Sequence, residues 1–368
     1  MTGIGRYLDR LLESLSLFDT QNQYILFYNA LKGHRPQRDT NNNGFSIIST
    51  RWPNKMLFKL WAHTSYPPIE NLIGPIDVFH APSYEMPPAK KASLVLTIHD
   101  LVFMVRPELA SPSAVRDIGP WIKLYANRAD IVIADSNSTA SDVVHYLGLP
   151  PEKVMTVYPG ATRISRASVH DVQKAKDELG IKGDFILVVG SLEPRKNVIR
   201  LFKAFEYSGL ARDFELILAG PIGWRTKDII ETWQSLPCQR RIRRLDYVSE
   251  KTLSALYTDA SFLAYPSIME GFGLPILEAM SVGCPVLTSN TSSMPEVAGD
   301  AAVYVDPLDI ESIAEGLRRL SSDLALRKNL AAAGRRRVSQ FTWERTALQM
   351  MEIYKKANDM RGIGRGMK

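Results

Sequence analysis

An apolar run, Ala260-Ser261-Phe262-Leu263-Ala264-Tyr265, is closed by Pro266-Ser267 and passes through Glu270-Gly271-Phe272-Gly273-Leu274 into a helix-forming stretch. A short apolar run of this kind reads as a buried parallel strand. The two glycines around Phe272 free the backbone to bring its N–H groups close to a ligand. Pro275 suits a first helical turn, where its missing N–H costs nothing, and Gly283 is placed to stop the helix after about Ser281. A strand feeding a helix N-terminus through such a loop is a ready anion site. Glu270 stands before the loop and Glu278 one turn inside the helix. An acidic pair flanking an anion site suits a ligand with sugar hydroxyls at both ends and phosphate between them.

A strand–loop–helix unit of this type belongs to an α/β fold, and the rest of the chain repeats the pattern. Strand-like runs fall at 24–28, 45–49, 77–80, 94–98, 131–134 and 154–157, with helical stretches at 7–17, 112–128 and 138–146. Leu8, Leu11, Leu12 and Leu15 are expected on one stripe of the first helix. Residues 161–180 are polar and suit a linker with a short helix. The pattern then restarts with strands at 185–189, 214–218, 242–247, 260–265, 285–288 and 302–305 and helices between them. This predicts two doubly wound Rossmann-like domains, residues 1–165 and 166–342, facing a cleft, with a last helix from about 343 to 368 packing back on the first. Clefts between domains are preferred ligand sites.

With 368 residues both domains can bury a core. No run of 18 or more apolar residues is present, and the opening residues carry no charged-then-apolar leader pattern. Cys238 and Cys284 have no metal-ligand spacing and read as free thiols of a reducing compartment, so a cytoplasmic location is expected. The net charge is +6, with cations gathered at Arg240–Arg244, Arg335–Arg337 and the tail from Lys355 to Lys368. Such clusters are either solvated faces or contacts for an anionic membrane surface. They lack the aromatic interleaving of a single-strand nucleic-acid binder, and no nucleic-acid partner is expected.

A second candidate segment is Val189-Gly190-Ser191-Leu192-Glu193-Pro194-Arg195-Lys196-Asn197. It places Arg195 and Lys196 at a strand's carboxyl end and a helix N-terminus, where cation and helix dipole together favour a diphosphate. Other polar strand ends are His99-Asp100, Asp135-Ser136 and Asp246-Tyr247-Val248, and the chain opens with a Gly3-Ile4-Gly5 loop. No Asp-x-Asp, Walker A run, H-E-x-x-H or dinucleotide-type G-x-G-x-x-G with its acidic partner occurs.

Together these segments closely resemble the family 4 retaining nucleotide-sugar glycosyltransferases, which have the two-domain GT-B fold. The Glu270-to-Glu278 run carries their E-x7-E pattern, and the overall look is nearest to bacterial mannosyltransferases of polysaccharide assembly. The resemblance implies a metal-independent transfer, without cofactor, of a hexose from a nucleotide-sugar donor to a glycan or lipid-linked acceptor. GDP-mannose is the donor it favours. It assigns the leaving diphosphate to Arg195 and Lys196, and the ribose to Glu278. The donor sugar falls to Glu270, to His99 and to the backbone of Gly271, Phe272, Gly273 and Leu274. The base goes to Tyr247 and Val248, where Asp246 replaces the usual glycine. Ser191, Gly3 and Gly5 lie near the donor, and Asp100 and Ser136 line the acceptor side. Domain closure would exclude water. Readings left open are a GT-B epimerase or hydrolase of nucleotide sugars and a non-catalytic sugar-nucleotide-binding subunit. The family also places a strand before the glycine loop. This sequence enters the loop at once, so the first domain is expected to lack that strand and to be the less stable of the two.

Overall fold

The computed structural model of the protein describes residues 3–31, 44–162 and 164–365. The chain divides into two compact units, one of residues 1–104, 112–160 and 343–368, the other of residues 105–111 and 161–342. Every strand pairing among the described residues is parallel.

The first unit holds β1 (Tyr24–Asn29) beside β2 (Phe45–Thr50), and a separate sheet of β3 (Val78–Ala81), β4 (Ser93–Ile98), β5 (Ile131–Ala134) and β6 (Val154–Thr156) in that order. Among the described residues no strand joins the two sheets. They share one core instead. Tyr7, Leu11 and Leu15 of the Gly3–Phe18 helix, and Ala347, Met350, Ile353 and Ala357 of the Trp343–Arg365 helix, pack on Val95, Ile131, Ile133 and Val157. Tyr24 and Phe45 stack at 4.8 Å between ring centres and lean on the same core.

Two expectations are corrected here. Gly3 to Gly5 form the opening of a helix, not a loop. The first turn's N–H groups need no intrahelical partner, and the burial of the Tyr7–Leu11–Leu15 stripe outweighs the ~1 kcal/mol that each glycine costs. The buried stripe is also turned from the expected one, since Leu8 and Leu12 are only half-buried while Tyr7 is 3% exposed. Thr2 and the side chains of the basic tail beyond Met360 lie outside the described residues.

The second unit is one six-stranded sheet. Its strands are β7 (Asp184–Val189), β8 (Phe214–Ala219), β9 (Ile242–Leu245), β10 (Phe262–Tyr265), β11 (Val286–Ser289) and β12 (Ala302–Val305), in the order β12-β11-β10-β7-β8-β9. Both β7 and β10 are central, so their apolar runs are buried on both faces. The Val198–Ser208 and Ile310–Ser322 helices cover one face with Phe202, Phe205, Leu317 and Leu320. Cys238 and Cys284 are free and buried. No described helix is long and apolar enough to cross a membrane.

One arginine from each of two basic runs holds helix ends in place. Arg337 donates to the carbonyls of Glu296 and Val297 at the end of the Met294–Ala298 helix and lies 4.9 Å from the Phe341 ring centre. Arg243 donates to the Leu179 and Gly180 carbonyls that end the Val169–Leu179 helix, and pairs with Glu215 at 3.1 Å. Cations complement the negative end of a helix, so these arginines act as caps.

Candidate active site

Two strand-end loops of the second unit make the site, because β7 and β10 are neighbours and both run the same way. After β7 the chain turns through Gly190, at φ +135°, to Ser191 and a tight 3-10 turn, Pro194–Lys196. Asn197 follows at φ +61°, a left-handed conformation that asparagine tolerates better than most residues. Its side-chain amide donates to the carbonyls of Pro266 (3.0 Å) and Pro307 (2.6 Å). Ile268 N–H donates to the Arg195 carbonyl at 2.9 Å. The β7 loop is thereby stitched to the β10 loop.

After β10 the chain passes Glu270 and Gly273, the latter at φ +107°, and enters the Leu274–Val282 helix with Pro275 in its first turn and Gly283 as its left-handed cap. Ser292 and Ser293 hold the loop. Ser292 Oγ accepts from Glu270 N–H at 3.2 Å and lies 2.8 Å from the Glu270 carbonyl, while Ser293 Oγ shares its proton between the Glu270 and Phe272 carbonyls. The backbone around Glu270 is fixed before any ligand arrives.

The side chains then form a compact ionic cluster. Lys196 Nζ donates to Glu270 Oε1 at 2.7 Å and to the Tyr265 hydroxyl at 2.6 Å. Arg195 Nη1 pairs with Glu270 Oε2, and its Nε with Glu193 Oε1 at 2.5 Å. Ser191 Oγ donates to Glu193 Oε2 at 2.8 Å. Glu193 is 1% exposed and Glu270 6%. Burial pushes the Glu270 carboxyl upward, but Arg195 and Lys196 outweigh it and hold it at about 2. Burial raises Glu193. An ionised Glu270 locked to two cations is an electrostatic group and a poor proton acceptor.

Glu278 lies inside the helix, buried, with Oε2 accepting from the Tyr257 hydroxyl at 2.9 Å. Tyr247 and Val248 fall beyond the end of β9, and Tyr247 is largely exposed. Asp246 pairs with Arg244. Among the described residues no cluster of three His, Cys, Asp or Glu side chains is gathered as a metal site would need.

The first unit carries its own polar centre. His99 is buried, with Nδ1 2.7 Å from Asp135 Oδ2 and Nε2 2.9 Å from the Pro82 carbonyl, and the Tyr7 ring stands edge-on to it. Both partners are acceptors, so both ring nitrogens carry protons. A sugar hydroxyl at Nε2 would have to replace Pro82. Ser136 is buried and spent on capping the Asn137–Leu147 helix, accepting from Thr139 N–H at 3.0 Å. Asp100 accepts from Val102 N–H at 3.1 Å. Gly3 and Gly5 sit in a helix.

The His99 pair makes stability pH-dependent. Burial lowers the His99 pKa, but Asp135 outweighs it, and the net shift is upward from the ordinary 6.5. A raised folded-state pKa means the stabilisation is full below 6.5 and is lost as pH rises through the folded value. Denaturant midpoints of the first unit should therefore fall across that window. Asp135→Asn should flatten the dependence, and an unchanged slope in that variant would refute the assignment.

Sequence reasoning missed Glu193, Tyr265, Asn197, Ser292 and Ser293. Only Glu193 left a local trace, as a carboxylate beside two cations at a strand end.

A model of Glycosyltransferase Family 4 matches residues 1–162, and a model of group 1 glycosyl transferases matches residues 171–337. The chain belongs to the GT-B glycosyltransferases. This glycosyltransferase is 29% identical over 379 aligned positions to the O-antigen chain mannosyltransferase B of Escherichia coli, covering 96% of both chains. Its fold matches sucrose-phosphate synthase from Thermosynechococcus elongatus, with a TM-score of 0.76 at 21% identity over 96% of this chain and 93% of that one. It also matches HepE of Anabaena in complex with UDP-glucose, with a TM-score of 0.74 at 18% identity over 97% and 96%.

Proposed function

We propose that this glycosyltransferase moves mannose from GDP-mannose to an acceptor hydroxyl in polysaccharide assembly, with retention and without a divalent metal. The observation that carries the choice of sugar is the end-to-end relation to O-antigen chain mannosyltransferase B. The diphosphate is assigned to Arg195 and Lys196, at the carboxyl end of the parallel strands, where open α/β sheets take their ligands. Negative charge grows on the leaving diphosphate as the glycosidic bond breaks. Two fixed cations in a water-poor site stabilise that charge without reorganisation. The countercharge comes from the chain itself, which supports a metal-free transfer. The Leu274–Val282 helix N-terminus adds N–H groups for the sugar or a phosphate oxygen. Glu278 takes the ribose and the Tyr247–Val248 backbone the base. Glu270 is ionised and ion-paired, and Glu193 is enclosed, so neither is placed as a nucleophile. That favours a same-face displacement in which the departing diphosphate takes the acceptor proton.

Product analysis with GDP-mannose and UDP-glucose, with and without glycan acceptor and EDTA, tests this reading. Mannose transfer that releases GDP only when acceptor is present, at a rate unaffected by EDTA, is the expected result. Donor turnover without acceptor would favour the epimerase or hydrolase, and binding without turnover the non-catalytic subunit. A rate lost in EDTA would overturn metal independence.

A lipid-linked acceptor needs a membrane-facing surface. The fold engages Arg243 and Arg337 elsewhere, and beside the remaining cations of those runs a further candidate face is residues 51–69. Arg51, Lys55 and Lys59 are exposed there beside exposed Trp52, Met56 and Tyr66, and no Asp or Glu interrupts the stretch. This basic, apolar stretch, which includes the Asn54–His63 helix, suits the interface of an anionic bilayer. Sedimentation should show binding to anionic but not neutral vesicles, fading with salt. Each cation near such a surface contributes ~1 kcal/mol, so replacing Lys55 and Lys59 by Gln should weaken binding roughly 30-fold. Equal binding of both proteins would remove the assignment.

A further inference from the structure

The four ionisable side chains of the cluster are arranged unequally. Glu270 spans both cations at once, with one carboxylate oxygen on Arg195 Nη1 and the other 2.7 Å from Lys196 Nζ. That is the grip a bridging diphosphate would need. Glu193 takes only the rear edge of the guanidinium, at Nε, and is itself anchored by Ser191. Lys196 likewise has a second partner, the buried Tyr265 hydroxyl at 2.6 Å. Each cation thus has a partner besides Glu270, Glu193 for Arg195 and Tyr265 for Lys196, and the two share Glu270. The formal charges of Glu193, Glu270, Arg195 and Lys196 cancel.

We infer that Glu270 is a built-in competitor for the diphosphate, while Glu193 and Tyr265 are positioning residues that keep Arg195 and Lys196 in place when Glu270 lets go. The inference rests on the nucleotide-sugar reading above and adds a division of labour to it. An incoming diphosphate repels the Glu270 carboxylate and takes its two cations. The released carboxylate then turns to the sugar end of the donor. When the nucleoside diphosphate is left behind after transfer, Glu270 retakes the cations and helps to expel it. No covalent step is involved, only an exchange of ion pairs.

The two carboxylates should therefore respond with opposite signs. A site occupied by its own anion binds an external one with an affinity reduced by the fraction of time it is open. Glu270→Gln keeps the shape and removes the competing charge, so GDP, UDP and inorganic pyrophosphate should each bind roughly tenfold more tightly, while transfer falls. Glu193→Gln loosens the guanidinium and should weaken the same ligands by roughly tenfold. Tyr265→Phe should weaken them less. Guanosine and uridine, which have no diphosphate, should bind all the variants as they bind wild type. A merely structural defect would not spare them.

Isothermal titration of the full chain and the three variants with those five ligands tests this. Tighter diphosphate binding in Glu270→Gln cannot arise from misfolding, so it would support the inference directly. Weaker or unchanged binding in Glu270→Gln would overturn the competitor role. Unchanged diphosphate binding in Glu193→Gln would overturn the positioning role. If wild type bound neither GDP nor UDP, the nucleotide reading would fail. Pyrophosphate would then still decide the exchange by the sign of its change in Glu270→Gln.

Discussion

Lys196→Ala is expected to abolish most transfer, and Arg195→Ala to lower it nearly as far. Each cation is assigned to the leaving diphosphate, and truncating one member of a buried, hydrogen-bonded charge pair costs about 2–5 kcal/mol. At about 1.4 kcal/mol per tenfold, that is a loss of roughly thirtyfold to a few thousandfold in rate. Lys196 should be the worse loss, because its side chain is 10% exposed against 20% for Arg195, and a more buried charge acts through a lower dielectric. Some of the damage would fall on the fold. Either truncation leaves Glu270 with one cation instead of two, and since a buried charge left with no partner costs about 3–5 kcal/mol, the loss here should fall below that. The two effects separate experimentally. Circular dichroism at the assay temperature reports whether the variant is folded, and kcat on the folded protein reports the chemistry. Arg195→Lys keeps the charge but has no Nε for Glu193, so it should fall between wild type and alanine. Wild-type rates in Lys196→Ala or Arg195→Ala would sink the diphosphate assignment.

The part of the site that was legible in the sequence is the part written in local backbone chemistry. Gly273 and Gly283 both adopt left-handed conformations and bracket a helix from Leu274 to Val282, as the Gly-Phe-Gly, Pro275 and Gly283 spacing predicts. The alternation of apolar runs with helical stretches likewise gives a parallel α/β chain. What was not legible depends on contacts between distant segments. Tyr265 reads as one more apolar strand residue, and only the pairing of β10 with β7 brings its hydroxyl to Lys196. Ser292 and Ser293 lie far along the chain from the loop they hold, with no local pattern to mark them. The arginine runs show why charge alone misleads. Arg337 and Arg243 look like surface cations, and each is turned inward onto the carbonyls of a helix end. At Gly3 to Gly5 the local preference for a loop was real but small, and the apolar contacts of Tyr7, Leu11 and Leu15 overrode it.

Gly220→Ala is expected to damage both stability and activity, through backbone rather than through any functional side chain. Gly220 follows β8, and its N–H donates to the Leu245 carbonyl at 3.1 Å. Beside it the β7 end turns toward the site, with Gly190 N–H on the Ala219 carbonyl and Leu192 N–H on the Pro221 carbonyl. A Cβ on Gly220 would stand 2.1 Å from the Gly190 carbonyl oxygen, 2.6 Å from its carbon and 3.2 Å from Ser191 N. Those atoms belong to the main chain, so no side chain can swing aside to make room. Overpacking in a well-filled interior typically costs about 1–3 kcal/mol, and a clash with backbone belongs at or above the top of that range. The segment that must yield is Gly190–Ser191, the lead into Glu193, Arg195 and Lys196. A displacement of about 1 Å at a positioned catalytic group can cost roughly a hundredfold in rate, so activity should fall further than stability alone would explain. Gly183→Ala is the matched control. A Cβ there meets nothing within 4 Å, and the substitution should be neutral or stabilising by up to about 1 kcal/mol through the unfolded chain. Urea midpoints and transfer rates of the two variants settle the matter. A Gly220→Ala protein with the wild-type midpoint and rate would mean that the β7 and β8 ends can part without cost, and that the close approach of the two segments has no part in holding the cations.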